Sequence, residues 1–500
     1  MQPDQYVVAT QPTGLRTRLG ILTLVLLVSV QFIVIIDTSI VNVTLPSIQR
    51  ALHFSQQNLQ WVLSGYVLTF GGLLLLGGRL GDLLGRRRML VTGVLVFAAA
   101  SMACGLANSQ GLLVAARMVQ GVGGALMAPA ALSTIATTFA GGKDRNTAMG
   151  VYGAVSGIAG AAGVSLGGVL AQGPGWRWVF FVNPPICLLI IVGTFWLLRS
   201  DSRREGSAGF DIQGSVLVTA GMLLLVYALV RAPQVGWGSG QVIGELAGAG
   251  VLFITFTVNE ARTRHPLVPL SVLRVRGLAA ADVAMLLAFA GIFAMLFFMT
   301  LYEQDVLHYS PIKTGVGFVP ITACFAIAGG ISSQLIARVG TRVLTVVGAL
   351  IGGGGVFYLS RVPVGGSYVA DVLPGMIIMA LGMGVVFVTA TAGANEGVPP
   401  AQAGLAAGLL NASQQLGSAL GLAILSAVAT SRTQSLLAAH APLPAALTSG
   451  YHRGLLVGSF FMVAAAVIAL RTSNTKVAAP PMIVSSQAEP EHAPSRSAGS

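Results

Sequence analysis

Residues 32–43 read FIVIIDTSIVNV, one carboxylate, Asp37, among bulky apolar side chains. A carboxylate at the centre of an apolar helix costs about 2.5–3.5 kcal/mol on insertion scales, so its presence needs a reason. One reason is packing, with the acid held to a neighbouring helix through Thr38, Ser39 or Asn42. The other is proton traffic. A carboxyl withdrawn from water holds its proton more readily, and one that binds a proton on one side of a barrier and loses it on the other is a coupling device. Arg117 stands in a second apolar run, LLVAARMVQGVGGALMAPA (112–130). There Gln120 at i+3 shares its face, and Gly121, Gly123 and Gly124 let another helix approach. The alternative is a guanidinium reaching out to an interface. Glu303 closes the run AMLFFMTLYEQ (294–304), either as a second acid for protons or a cationic molecule or as a solvated loop charge beside Asp305. The Met, Phe and Leu of that run suit the wall of a cavity for variable apolar ligands.

Two further stretches place chemistry at helix ends and contacts. GGRLGDLLGRRRML (77–90) sets Asp82 beside Arg86, Arg87 and Arg88 in a tight turn. An acid there pairs with arginines or with a helix N-terminus, a contact that can form in one conformation and break in another; RRR also acts as an orientation signal. AVSGIAGAAGVSLGGVL (154–170), with Gly163, Gly167 and Gly168, permits close helix packing.

The elements that position these residues follow from composition. With 54% hydrophobic and 9% charged residues over 500 positions, the chain is far more apolar than soluble domains, about a quarter of whose residues are charged. It reads as an all-α integral membrane protein. Apolar runs of spanning length lie near 19–43, 58–78, 88–106, 111–134, 146–170 and 177–198, then 212–230 and 240–259. Six more lie near 279–302, 313–336, 342–360, 370–393, 404–430 and 453–470, fourteen in all. With both termini cytoplasmic, 20 of the 28 Lys and Arg fall on the inner side, as the positive-inside rule requires. Seven fall outside (Arg50, Arg177, Arg231, Lys313, Arg361, Arg432 and Arg453), and Arg117 lies within a span.

Other classes are poorly supported. The net charge of +12 is accounted for by topology and contact with anionic headgroups, so no nucleic-acid partner is expected. The stretch after Arg16 is too long an apolar run for a signal peptide and reads as the first helix. Cys104, Cys187 and Cys324 fall in separate spans without CxxC spacing, so neither disulfide nor metal is indicated. The histidines, at 53, 265, 308, 440, 452 and 492, fall in expected loops and tails, and no phosphate-binding loop is present. An enzyme, a cofactor and ATP drive are therefore not expected. The tail beyond 473, rich in Pro, Ser and Ala, reads as disordered.

The chain also repeats itself. LGDLLGRRRML (80–90) aligns with LIARVGTRVL (335–344), matching Leu80 to Leu335, Gly85 to Gly340 and Arg87 to Arg342, with Ala337 in place of Asp82. GVSLG (163–167) has a counterpart in GSALG (417–421). Repeated helical halves around a midplane site are a common transporter plan. The expected organisation is a tail 1–18, a six-helix bundle 19–198, two inserted helices in 199–278, a second six-helix bundle 279–472 and a tail 473–500.

On these motifs the chain resembles the major facilitator superfamily, in its fourteen-span drug:proton antiporter group, over nearly all of 15–472. IDTSIVNVTLP (36–46) resembles the first-helix motif, with its acid at Asp37. GGRLGDLLGRRR resembles the loop motif, with Gly78, Asp82 and Gly85 at its key positions and Leu83 where a base is common. LVAARMVQGVGGA (113–125) resembles the fourth-helix motif at Arg117, Gln120 and Gly121. GWRWVFFVNPP (175–185) and YEQDVLHYSPIKTG (302–315) are similar to stretches typical of the group. The fifth-helix antiporter motif is altered, with Val164 where the family pattern has proline. The resemblance implies proton-driven export of small amphipathic drugs or antibiotics from a bacterial cytoplasm by a monomer embedded in the bilayer. Export of one endogenous metabolite, or an uncoupled facilitator or receptor, is the alternative.

Overall fold

The computed structural model describes residues 15, 17–139, 142–198, 211–263, 266, 277–394 and 403–474. The long helices are α1 (Arg18–Leu52), α2 (Trp61–Leu84), α3 (Arg86–Gly105), α4 (Gln110–Thr138) and α5 (Gly142–Gln172). Next come α6 (Asn183–Leu197, after a turn Trp178–Phe181), α7 (Ile212–Val235) and α8 (Gly240–Arg262). Then α9 (Leu278–Leu301) runs into a π-helical turn, Tyr302–Val306, and Pro311–Gly317 leads into α10 (Val319–Val339). They are followed by α11 (Thr341–Leu359), α12 (Leu373–Ala394, after the π-helical turn Tyr368–Val372), α13 (Ala403–Ala438) and α14 (Leu443–Ala469). All regular structure among the described residues is helical, and eleven helices are long and apolar enough to cross a membrane. Helices suit that solvent because they satisfy their backbone polar groups internally.

Several helices outrun the apolar segments that announce them. The run expected to end at 43 continues through Pro46 to Leu52, where His53 turns left-handed at φ 55°. α13 reaches Ala438 and α14 begins at Leu443. Apolarity marks where lipid begins, whereas a helix can run on into water, which also satisfies the free backbone groups at its end. Arg50, Arg432 and Arg453, counted on the outer side, accordingly lie on helices, and so does His452, which was expected in a loop. The His452 ring bonds the Val362 carbonyl at 2.6 Å.

The internal repeat has a geometric counterpart. Gly85 joins α2 to α3 at φ 98°, and Gly340 joins α10 to α11 at φ 91°, backbone angles that favour glycine. Arg87 then reaches the end of α6, its guanidinium 5.0 Å from the Phe195 ring, while Arg342 bonds the Thr472 carbonyl just past α14 at 2.7 Å. On α5, a Cβ at Gly163 would sit 2.9 Å from the Ile36 carbonyl of α1, and at Gly167 2.7 Å from that of Ile40. On α13, Gly417 and Gly421 abut Leu286 and Ala290 of α9 in the same way. Thus α1 rests on α5 as α9 rests on α13. The neighbours α2 with α4 and α3 with α6 likewise recur as α10 with α12 and α11 with α14. The hairpin of α7 and α8 leans on α2 and α13 through α7.

Candidate functional site

Asp37, Arg117 and Gln120 meet in the interior. Asp37 Oδ2 accepts from Arg117 Nη1 at 2.5 Å, and Asp37 Oδ1 accepts from Gln120 Nε2 at 2.8 Å. Arg117 Nη1 also donates to Gln120 Oε1 at 2.8 Å, the i+3 contact that helical spacing predicts. Arg117 Nε donates to the Val62 carbonyl at 2.9 Å, and its guanidinium lies 4.4 Å from the Tyr66 ring centroid. All three side chains have 0% exposure, which rules out the interfacial reading of Arg117. Asp37 bonds its neighbouring helices directly and not through Thr38, Ser39 or Asn42. Thr38 and Ser39 donate to the carbonyls of Val34 and Ile35, and Asn42 donates to Thr300 on α9.

Two residues join the network that sequence reasoning did not single out. Asn183, at the start of α6, donates to Asp37 Oδ1 at 2.8 Å and to Ser101 Oγ at 2.9 Å. Ser101 on α3 donates to the Phe180 carbonyl at 3.0 Å and accepts from Gln120 Nε2 at 3.3 Å. A buried Asn beside prolines in GWRWVFFVNPP was a legible signal; Ser101, in VFAAASMACG, offered none. Asp37 therefore gathers α1, α3, α4 and α6. Glycines make this convergence possible: Gly121 abuts Tyr66 of α2, and a Cβ at Gly123 would sit 2.5 Å from the Phe97 nitrogen of α3. Chemically, the arrangement is a buried ion pair whose charges are matched and hydrogen-bonded, the condition under which such a pair survives away from water. Adding a proton to Asp37 removes one of the two charges.

The loop motif lies apart from this network. Arg86 Nη1 donates to Thr137 Oγ1 at the end of α4 at 2.7 Å, and Arg88 is exposed. Close helix approach falls on Gly77, against the Ala125 carbonyl, whereas a Cβ at Gly78 would make an ordinary 3.7 Å contact with Pro129. Asp82 lies on α2, but its side chain is outside the described residues. In the fifth-helix motif, Gly163 and Gly167 face α1, while Gly168 faces the turn before α10: a Cβ there would sit 2.6 Å from the Pro311 carbonyl. A Cβ at Gly315 would stand equally close to the Val164 carbonyl, so the two strips approach backbone to backbone.

Glu303 is no loop charge. It lies in the π-helical turn after α9 with 0% exposure, and no well-formed hydrogen bond reaches its carboxylate among the described residues, although Thr314 and Lys313 act on it from the next turn. Most of 294–304 is packed, with Phe297, Phe298 and Leu301 lining only a small pocket shared with Ser426, Thr430 and Tyr451. Phe298 stacks on Tyr451 of α14 at 5.6 Å, Gln304 donates to the Val43 carbonyl at 2.8 Å, and most of the segment is core. Together with Asn42 and Thr300, Gln304 ties α1 to α9 at the face opposite the Arg86–Arg88 turn. Among the described residues no group of His, Cys, Asp and Glu is arranged to hold a metal ion.

Residues 27–422 match the profile of the Major Facilitator Superfamily. The chain is 39% identical to the puromycin resistance protein pur8 of Streptomyces alboniger over 443 residues, covering 88% of each. It is 37% identical to the cephamycin export protein CmcT of Amycolatopsis lactamdurans, covering 91% of this chain and 92% of that one. Among solved structures it resembles a bacterial homolog of the human lysosomal transporter Spinster, with a TM-score of 0.63 at 17% identity over 90% of this chain and 95% of that one.

Proposed function

The chain belongs to the Major Facilitator Superfamily, and from that premise we propose that it exports small amphipathic antibiotics or drugs from a bacterial cytoplasm in exchange for protons. The observation that carries the reading is the buried Asp37–Arg117 pair with Gln120 and Asn183 around it. Every helix it touches depends on one carboxylate charge. A proton on Asp37 cancels the charge that holds Arg117, loosening α1 from α4 and α6 together; losing the proton restores the clamp. Cargo and proton thereby compete for one state of the site. The driving force is adequate, since one charge crossing 100 mV supplies about 2.3 kcal/mol.

The proposed topology has fourteen spans with both termini cytoplasmic. Bundles 19–198 and 279–472 are separated by the inserted pair in 199–278 and flanked by tails 1–18 and 473–500. The basic turn at Arg86–Arg88 then faces inward, and the bonds among Asn42, Thr300, Gln304 and Val43 close the outer side. In this reading Glu303 is a second acid behind that seal, Gly168 and Gly315 form part of the seal itself, and Asp82 acts in the inner turn. The protein works as a monomer, with protons, bilayer and cargo its only partners. The relatives' names, puromycin resistance and cephamycin export, support an antibiotic as cargo.

The test is purified protein in liposomes under an imposed pH gradient, with puromycin and ethidium as probes. Uphill movement of a probe with opposite proton flow is expected, and Asp37→Asn should lose the uphill component. Uphill transport without proton counterflow, or an Asp37→Asn variant that concentrates the probe as wild type does, would sink the proposal. Flux indifferent to the gradient would mark a facilitator.

A further inference from the structure

α9 carries a second acid that neither the motifs nor the Asp37 network absorb. Asp282 lies one turn into the helix with 6% exposure, and neither carboxylate oxygen has a hydrogen-bond partner. The elements packed on α9 are chiefly α12, α13 and α14, with lesser contacts from α1, α11 and its own π-helical turn. Among the described residues, none of these elements offers the carboxyl a hydrogen bond or an ion pair.

The repeat shows that packing alone does not call for an acid here. Gly417 meets Leu286 as Gly163 meets Ile36, so Asp282, four residues before Leu286, corresponds to Phe32, four before Ile36. By the same register Asp282 stands level with Ser413 on α13, and Phe32 with Ala159 on α5. At these sequence positions the first half has a half-buried phenyl ring and a methyl, while the second has a carboxyl and a hydroxyl that do not bond each other. An acid kept where the first half has an apolar residue, without a hydrogen-bond partner among the described residues, costs stability. Ionisable residues inside membrane helices line ion and proton routes as a rule.

We propose that Asp282 is a further proton-carrying carboxyl of the transport cycle, beyond Asp37 and Glu303, borne by the second half near the face where α1 and α9 begin. This rests on the antiport reading above. Along α9 it is about 30 Å from Glu303 at 1.5 Å per residue, roughly the thickness of a bilayer core. Asp282 thus serves the opposite end of the helix, while Asp37 works on the other central helix. In each cycle its O–H bond forms with a proton from the outer side and breaks to deliver that proton inside; no other bond changes.

The experiment is infrared difference spectroscopy of the full chain in lipid, titrated with acid and without cargo. Wild type is expected to show a protonated-carboxyl carbonyl band. Asp282→Asn and Asp282→Ala should each remove one carboxyl's share of it, and Asp282→Glu should retain a shifted band. Asn mimics the neutral acid in shape, and the spectrum needs folded protein but no transport. The same protein in pyranine-loaded vesicles then reports protons moved per ethidium, a ratio expected to fall by one in Asp282→Asn. A spectrum unchanged in both neutral variants, or an unchanged ratio, overturns the assignment. Where ethidium is not carried, the spectrum alone decides. Absence of proton counterflow in wild type would instead remove the antiport reading and leave the spectrum to judge Asp282 as a proton-binding group.

Discussion

The central helix of the first half, α1, and its counterpart α9 both bury acids among apolar side chains, but they treat them in opposite ways. Asp37 has both oxygens occupied, by Arg117, Gln120 and Asn183 from two other helices. Asp282 and Glu303 have no well-formed hydrogen bond on theirs among the described residues. The halves share glycine contacts, joint geometry and neighbour order, so the difference lies in side-chain chemistry laid on a common frame. A paired charge binds its neighbours and transmits its loss to them. An unpaired buried carboxyl transmits little, but exchanges its proton without breaking a salt bridge.

The largest effect that would sharpen this contrast comes from Arg117→Ala. Removing one partner of a buried ion pair leaves the other uncompensated, at a cost of about 3–5 kcal/mol. Transport should vanish and the unfolding midpoint in detergent should drop, with much of the midpoint restored by adding Asp37→Asn. Glu303→Gln, which breaks no ion pair and leaves an amide that Thr314 can still meet, should leave the midpoint within the range of ordinary surface changes, about 0.5 kcal/mol. Equal losses in Arg117→Ala and Glu303→Gln would break the comparison.

Next in size is the shared frame. Gly163→Val and Gly417→Val each drive a branched side chain into the backbone of the facing central helix. Comparable destabilisation is expected from both, of about 1–3 kcal/mol as in other overpacked sites, read from the same melts. A large loss in one with none in the other would show that the repeat is not mechanical.

The smallest effect concerns the supporting shell. Asn183→Ala and Ser101→Ala each remove hydrogen bonds worth about 0.5–1.5 kcal/mol, or up to about 3 where the acceptor is charged. Because Asn183 donates to both Asp37 and Ser101, the double variant should cost less than the sum of the two. Strict additivity in a double-mutant cycle would mean that the shell does not act as one network.

Asp37, Arg117 and Gln120 were legible because a charged or amide group inside an apolar run needs a partner, and the i+3 spacing named one such contact. The helical class was legible because composition fixes the solvent, and the solvent permits few backbone solutions. Helix ends were less so: α1 passes Pro46, and α14 begins ten residues before its apolar run, because a helix can continue into water beyond its lipid-facing segment. Asn183 and Ser101 became site residues only when α3 and α6 were packed against α1, since neither residue type nor spacing places one side chain 2.8 Å from another 146 positions away. For Glu303, which allowed either a second acid or a solvated loop charge, the packing decided in the same way that the group is buried. Sequence alone therefore determined which groups could not stand unaccompanied in an apolar chain. The tertiary structure decided which of them had found company, because pairing depends on distances between helices that no local pattern encodes.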